Sequence, residues 1–150
     1  KMWPIDNFIC LAEKICKEFS NIKFVMLGST KYEQNLVKKF QLGFSGSDLI
    51  VNLCGNSSIK SLPKILNDLE LVITNDTGTL HLAIALQIKT VSLFGPTDSR
   101  VFGPYQDLDI HKVIQKDGGF VNDLPKKQRS QEGMRLIKVD DVYCSIKDLL

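Results

Sequence analysis

The residues from 71 to 98 constrain the fold of this chain more than any other stretch. They comprise a short apolar strand that begins at Leu71, a polar turn, an apolar helix that reaches Leu86, a second strand over 90–94 and a Gly95-Pro96 turn. A strand, a helix and a second strand in this order are typical of a βαβ unit, whose strands run parallel. The two turns therefore lie at the same carboxyl edge of a sheet, which is where ligands bind in open α/β folds.

The helix in this stretch begins at a turn that suits an anion. It opens on Asp76-Thr77-Gly78-Thr79, where several backbone N–H groups have no partner inside the helix. Asp76 or Thr77 can cap one of them, and Gly78 has no side chain that would keep a ligand away. Free amides and the helix dipole both favour negative charge. His81 lies about one turn further on and tilts back towards this end, so it can donate to a bound group. The sequence therefore predicts a phosphate site.

The rest of the chain continues the alternation of helices and strands. Apolar spacing predicts a helix from about Asp6, its capping residue, to Phe19. A buried strand is expected at 23–27. Further along the chain, a helix over 59–66 is expected to turn Ile59 inward. The remaining elements are a helix over 32–40, strands at 49–53 and 110–114, a surface loop over 116–133 and a last helix over 139–150. This pattern favours an α/β fold with a mostly parallel sheet.

Composition limits the classes of function. At 150 residues, with 43% hydrophobic and 24% charged residues, the chain suits one domain, 1–150, with a full core. A net charge of +2 without a broad basic block argues against nucleic-acid binding. No apolar run approaches the ~18 residues of a membrane-spanning helix. Because the first residue is Lys1 and no signal peptide is visible, we expect a fragment or a processed form.

The four cysteines do not suggest a metal centre. They form no Cys-x-x-Cys pair, and no histidine stands at zinc-finger spacing. We therefore expect small buried thiols in a reducing compartment and no metal site. No serine–histidine–aspartate order and no pair of catalytic carboxylates stands out either. The pattern favours a domain that holds a ligand over one that attacks it.

Residue type alone says less about the remaining candidates. Glu33 follows a glycine turn at the start of a helix, where a carboxylate interacts favourably with the helix dipole, and it can equally accept two ribose hydroxyls. Lys1 precedes Trp3 at the expected mouth of the sheet edge, where a terminal lysine is usually just solvated. Trp3 and Phe102 are expected to be packing residues, and His111 a structural one.

Three motifs stand in a specific combination and order. They are Asn-Asp-Thr-Gly-x-x-His-Leu-Ala at 75–83, Leu-Phe-Gly-Pro-Thr-Asp at 93–98 and Gly-Pro-Tyr at 103–105. Together with the opening Lys-x-Trp-Pro and a closing Met-x-x-Ile-x-Val-x-x-Val at 134–142, they resemble the C-terminal half of the lipopolysaccharide heptosyltransferases, glycosyltransferase family 9. The resemblance spans nearly the whole chain. One departure is that many members carry cysteines where this chain has none, in 106–133.

This resemblance implies a Rossmann-like, three-layer α/β/α domain, the donor-binding half of a GT-B glycosyltransferase whose active site lies in a cleft between two domains. The donor of typical members is ADP-L-glycero-D-manno-heptose. By position, the amides of Thr77 and Gly78 would hold the diphosphate. Asp76 would contact the donor sugar, and His81 would support that loop or a phosphate. Lys1 matches the family lysine that reaches the phosphate and the sugar.

The resemblance also implies contacts with the nucleoside. The loop around Asn56 and Ser57 would lie along the base. Glu33 is a looser match for the ribose-binding glutamate of the family, because its spacing from Gly28 varies among members, and Thr30 competes for that position.

In the family, the acceptor site and the catalytic base, an aspartate, lie in an N-terminal domain that this sequence lacks. We therefore expect the donor-binding half of an inverting transferase with no catalytic residue of its own. We expect no metal and no other cofactor, because the helix N-terminus and Lys1 can take up leaving-group charge. The partners would be a nucleotide-diphosphate sugar and, through the missing domain, a lipid-linked saccharide. A cytoplasmic location is expected, with peripheral contact at the inner face of the membrane left open.

Two other functions stay open on the sequence. A non-catalytic nucleotide- or anion-binding module would keep this fold without the chemistry. A GT-B transferase that uses a UDP- or GDP-sugar would differ little in sequence, because base recognition can run largely through backbone groups.

Overall fold

Helices and strands alternate along the chain, as the sequence predicts. The computed structural model describes residues 2–116 and 132–150. The helices are α1 (Ile5–Glu18), α2 (Lys31–Gly43), α3 (Leu62–Asn67), α4 (Gly78–Ala85), α5 (Ser99–Phe102), α6 (Glu132–Leu136) and α7 (Val139–Lys147). The strands are β1 (Phe24–Met26), β2 (Ile50–Asn52), β3 (Leu71–Asn75), β4 (Lys89–Phe94) and β5 (His111–Gln115). Within these described ranges, no helix combines the length and the apolar character of a membrane span. Most of the expected loop over 116–133 lies outside them.

The chain divides into two compact units, each with its own parallel sheet. Ile5–Leu62 form the first unit, and Pro63–Leu150 form the second together with the residues up to Pro4. β1 pairs with β2 in the first unit, and the second holds the strand order β3-β4-β5. All three strand pairs are parallel. The predicted α/β class with parallel strands is confirmed, and the strands form two sheets where the sequence suggested one.

β4 is the central strand of the three-stranded sheet and is buried on both faces. Val91, Ser92, Leu93 and Phe94 are fully buried, and successive residues of a strand point to opposite faces. α4 packs against β3 and β4, while α6 and α7 pack against β4. Both faces of β4 are therefore covered, as a three-layer arrangement requires.

Two hydroxyl groups of β4 make contacts with polar atoms of β5. Ser92 Oγ donates to the carbonyl of Lys112 at 3.0 Å, and Thr90 Oγ1 lies 3.0 Å from Nδ1 of His111. His111 is 1% exposed. Burial lowers its pKa, and the nearby carboxylates of Asp107 and Asp109 oppose that effect only in part. The position agrees with the structural role expected for His111.

The buried His111 should make the protein less stable on mild acidification. Because its pKa is lowered in the folded state, the unfolded chain takes up a proton first once the pH falls below the ordinary value of 6.5. Above that pH, His111 makes its full contribution to the free energy of unfolding. Below it, this contribution falls by at most about 1.4 kcal/mol per pH unit. Melting temperatures from about pH 7.5 to about pH 5.5 measure this. His111→Gln should flatten the slope, and an unchanged slope would contradict the assignment.

The first unit has an aromatic core. Ala12, Phe40 and Phe44 are buried together, and partly buried residues of α1, β1 and β2 pack around them. Phe44 meets Phe24 edge to face, with ring centroids 5.4 Å apart and ring planes at 86°. The strand predicted at 23–27 is present as β1, but it is only three residues long, and its residues are partly and not fully buried. Its apolar side chains belong to the edge of this small core.

Two local predictions fail because of helix boundaries, and two short helices were not predicted. α1 begins at Ile5, so Asp6 lies in its first turn instead of capping it, and pairs with Lys39 at 3.1 Å. α3 begins at Leu62, which leaves Ile59 in the preceding turn, 85% exposed instead of inward. α5 and α6 are absent from the prediction, since helices of four and five residues are too short to show an apolar period.

The cysteines are more exposed than the sequence suggested. Cys54 is buried, but Cys16 is only partly buried, and Cys10 and Cys144 are exposed. All four are free thiols. The expectation of buried thiols is therefore wrong for Cys10 and Cys144, which stand on the solvent-facing sides of α1 and α7.

Candidate functional site

The turn between β3 and α4 is open to solvent. Gly78 is the first residue of α4, and Thr77 precedes it in an extended conformation. The amide of Leu80 donates to the carbonyl of Thr77 at 3.1 Å, so the amides of Thr77, Gly78 and Thr79 come before the first hydrogen-bonded turn. A Cβ placed on Gly78 would have no described heavy atom within 4 Å outside its own helix and its chain neighbours. A ligand therefore has room directly against these amides.

Asp76 is fixed beside this turn. Its Oδ2 accepts a 2.7 Å hydrogen bond from the hydroxyl of Thr97, and its Oδ1 lies 4.0 Å from Nε2 of His81. The side chain of Asp76 is 10% exposed, whereas that of His81 is 56% exposed. Of the two side chains predicted as alternative caps, Asp76 and Thr77, that of Thr77 makes no capping hydrogen bond, and its hydroxyl lies 3.3 Å from the hydroxyl of Thr74 instead.

The turn after β4 meets this site, as predicted, and Gln115 at the end of β5 holds it in place. Gln115 Nε2 donates to the carbonyls of Gly95 and Thr97 at 3.1 and 2.6 Å, and its Oε1 accepts from the amide of Ser99 at 3.0 Å. Gly95 has no space for a side chain, because an added Cβ would lie 2.5 Å from Cγ of Met134. The path of this turn is thus determined from two sides.

Asp98 fixes the start of α5 immediately after the turn. Its Oδ1 accepts from the amide of Arg100 at 3.0 Å, and its Oδ2 pairs with the guanidinium of Arg100 at 2.7 Å. The hydrogen bonds from this guanidinium lower the pKa of Asp98. Since Asp98 is only 6% exposed, it serves the shape of the turn.

Replacing Gln115 by leucine should loosen the turn. The variant keeps the size of the side chain but leaves two carbonyls and one amide without the partner that each has in Gln115. We expect the free energy of unfolding to fall by about 2–3 kcal/mol and the melting temperature by about 5–10 °C. Faster hydrogen exchange at the Ser99 amide would localise the effect. Gln106→Leu, at an exposed position, is the matched control and should melt like the parent; equal losses in both variants would contradict the role of Gln115.

The N-terminal segment lies at the same edge of the sheet. The amide of Trp3 donates to Oδ1 of Asn75, the last residue of β3, at 3.1 Å. The indole is 1% exposed, and its Nε1 donates to the carbonyl of Ile137 at 2.9 Å. Trp3 is therefore a packing residue, as predicted, but Phe102 is 44% exposed and is not. Lys1 lies outside the described residues, so its predicted role stays a prediction.

In the first unit, Glu33 forms a capping box at the start of α2. Its Oε2 accepts from the amides of Ser29 and Thr30 at 2.9 and 2.8 Å and from the Thr30 hydroxyl at 2.8 Å. The Thr30 hydroxyl in turn accepts from the amide of Glu33. The bond from the Thr30 amide, assisted by the other two, lowers the pKa of Glu33 against the effect of burial. A structural role is thus present, and the ribose contact stays a prediction.

The loops that follow β1 and β2 meet at the carboxyl edge of their sheet. The amide of Gly55 donates to the carbonyl of Gly28 at 2.9 Å. A Cβ on Gly28 would lie 2.8 Å from Sγ of Cys54 and 3.0 Å from Cβ of Glu33, so this close approach requires glycine. Ser57 follows in the second loop and is partly exposed. Glu33 and Ser57 therefore both belong to this edge.

Four of the predicted site residues lie together at one turn of the second unit: Asp76, Thr77, Gly78 and His81. Thr97 and Gln115, which hold this turn and its neighbour, had no predicted role. A signal was available, because both stand at carboxyl ends of neighbouring parallel strands, where side chains converge. In the described part of the chain, no three histidine, cysteine or acidic side chains are grouped so that they could hold a metal ion.

Known sequences that match this chain belong to the family that it was found to resemble. Residues 1–122 match the profile of the family described as glycosyltransferase family 9 (heptosyltransferase). The chain is 32% identical over 119 residues to lipooligosaccharide heptosyltransferase 2 of Campylobacter jejuni, and this match covers 78% of the chain and 36% of that protein.

Solved structures share the fold. The ADP-heptose lipopolysaccharide heptosyltransferase II of Escherichia coli matches 99% of this chain with a TM-score of 0.80 at 20% identity, over 42% of its own length. The E. coli heptosyltransferase WaaC, solved with ADP, matches 100% of the chain with a TM-score of 0.76 at 19% identity, over 40% of its length. The fold is thus the Rossmann-like α/β fold of these GT-B enzymes, and the chain spans about two fifths of their length.

Proposed function

The chain belongs to glycosyltransferase family 9, and from this membership we propose that it is the donor-binding part of a heptosyltransferase. The whole protein would transfer a heptose, with inversion, from ADP-heptose to the inner core of lipopolysaccharide. The observation that carries this proposal is the open turn at the start of α4, where two amides have room in front of them and a fixed carboxylate beside them. The amides suit a diphosphate, and the carboxylate suits sugar hydroxyls.

In this proposal, different residues contact different parts of the donor. The amides of Thr77 and Gly78 hold the diphosphate, with support from the helix dipole. Asp76 contacts the sugar. His81, which is exposed one turn further along α4, supports the loop or a phosphate. Lys1, which lies outside the described residues, is assigned to the phosphate and the sugar from the family resemblance alone.

Two further residues would contact the nucleoside. Glu33 accepts hydrogen bonds through Oε2 within its capping box, and the proposal assigns its Oε1 to the ribose hydroxyls. Ser57 would lie along the base. These two roles rest on the family resemblance, and the contacts that Glu33 makes through Oε2 are compatible with its own role.

Inverting transfer needs a base that activates the acceptor hydroxyl on the side opposite the departing diphosphate. We place that base, an aspartate, in the part of the protein outside this sequence, together with the site for the lipid-linked acceptor. The residues described here would stabilise the leaving group through amides and Lys1, without a metal ion. The chain alone is therefore expected to bind nucleotide diphosphates weakly and to transfer no sugar.

A nitrogen-15 NMR titration of the chain with ADP, UDP and GDP tests the proposal. We expect ADP to shift the amide signals of Thr77, Gly78 and Thr79 most, and Asp76→Ala to leave much of this response to ADP in place. Equal responses to the three nucleotides would favour a phosphate site without base selectivity. If ADP shifts none of the three amides at about millimolar concentration, the donor site is not at this turn.

A further inference from the structure

The hydroxyl of Thr97 connects the two loops that meet at the proposed donor site. It donates to Oδ2 of Asp76 at 2.7 Å, and Thr97 is only 2% exposed. The side chain of Asp76 is itself 10% exposed. Rotation of this carboxylate would break the bond and leave a buried hydroxyl without its acceptor, which is costly. The carboxylate of Asp76 therefore has a preset orientation.

The loop that carries Thr97 cannot follow a movement of Asp76. Gln115 holds the carbonyl of Thr97 at 2.6 Å and that of Gly95 at 3.1 Å. Met134 fills the space beside Gly95. Because these contacts come from β5 and α6, the position of the Thr97 hydroxyl is set by the core of the second unit and not by the ligand.

We propose that Thr97 is a positioning residue for the donor sugar, an inference that rests on the proposed function. By holding Oδ2, Thr97 turns Oδ1 of Asp76 towards the exposed side of α4, where Nε2 of His81 lies 4.0 Å away. Sugar hydroxyls then meet an oxygen that is already oriented, so no rotamer freedom is lost when they bind. The diphosphate is held by backbone amides and does not depend on Thr97.

This division predicts a selective loss of affinity. Thr97→Val removes the hydroxyl and keeps the shape of the side chain. It should weaken binding of ADP-heptose about tenfold and change the affinity for ADP by less than about twofold. Thr97→Ser retains the hydroxyl and should restore most of the preference for the sugar nucleotide. Calorimetric titration of the 150-residue chain with both ligands gives the two dissociation constants.

A second buried threonine separates positioning from stability. Thr90 is fully buried in the same unit, and its hydroxyl lies 3.0 Å from Nδ1 of His111 instead of at the donor site. Thr90→Val should lower the melting temperature, as Thr97→Val does, but should leave the ratio of the two dissociation constants unchanged. A change in that ratio for Thr97→Val alone would be the signature of positioning.

The possible outcomes distinguish this inference from the proposed function. If the parent prefers ADP-heptose over ADP and Thr97→Val keeps that preference, the positioning role is overturned while the donor site stands. If the parent binds both ligands equally, Asp76 has no sugar to orient, and the role is overturned as well. If the parent binds neither ligand, the proposed function itself fails.

Discussion

Replacing Gly78 by valine should abolish binding of nucleotide diphosphates and leave the fold intact. A Cβ on Gly78 has no described heavy atom within 4 Å outside its own helix and its chain neighbours, so the new side chain has room in the volume proposed for the ligand. It would block two amide–phosphate hydrogen bonds, each contributing about 1.5–3 kcal/mol with a charged acceptor. The affinity for ADP should therefore fall about a hundredfold or more. Calorimetry measures this loss, and the melting temperature should stay within about 2 °C of the parent value.

A matched control lies at the other end of the same helix. Ala85 is the last residue of α4 and is exposed, so Ala85→Val adds a branched side chain to the helix without approaching its N-terminus. This variant should bind ADP like the parent. If Gly78→Val also binds ADP with unchanged affinity, the diphosphate does not lie against the amides of α4.

Sequence predicted the residues of the open turn at the start of α4 better than the residues that hold this turn in place. Asp76, Gly78 and His81 lie close together in the sequence at the start of α4, so the residue types that are typical of a helix N-terminus are enough to identify them. Thr97 and Gln115 act through strand pairing: β4 places Phe94 opposite Gln115, and only this register brings the glutamine to the turn after β4. The sequence pattern places both residues near the carboxyl ends of strands, but it does not encode which strand lies beside β4, so the contact of Gln115 with the turn required the structure.

The same difference between local pattern and long-range contact explains which parts of the fold could be predicted. The last helix was predicted well, because Val142, Ile146 and Leu149 recur at helical spacing and are all buried. Periodicity shows which side of an element is apolar, but not whether another element covers that side. Ile59 was expected to be buried for this reason, and it is exposed. Cys10 was expected to be buried because cysteines usually are, and it is exposed too. Burial depends on how the elements pack against one another, and this packing depends on where each helix begins and ends.

Replacing Trp3 by alanine should cause the largest loss of stability among the variants considered. Trp3 is 1% exposed, and it joins the N-terminal segment to Asn75 and Ile137 of the second unit. Removing a buried tryptophan costs about 3–5 kcal/mol, which corresponds to a melting temperature lower by roughly 6–20 °C for a chain of this size. Thermal unfolding followed by circular dichroism measures the change.

Two variants show which part of Trp3 matters. Trp3→Phe keeps an aromatic ring but leaves the carbonyl of Ile137 without the Nε1 donor, so it should lose roughly 1–3 kcal/mol. Phe102→Ala removes an aromatic ring that is 44% exposed and should cost far less than Trp3→Ala. The chain leaves the second unit after Pro4 and returns to it at Pro63. Trp3 therefore fixes the chain in the second unit just before it leaves. A Trp3→Ala protein that melts with the parent would show that the second unit folds without this anchor.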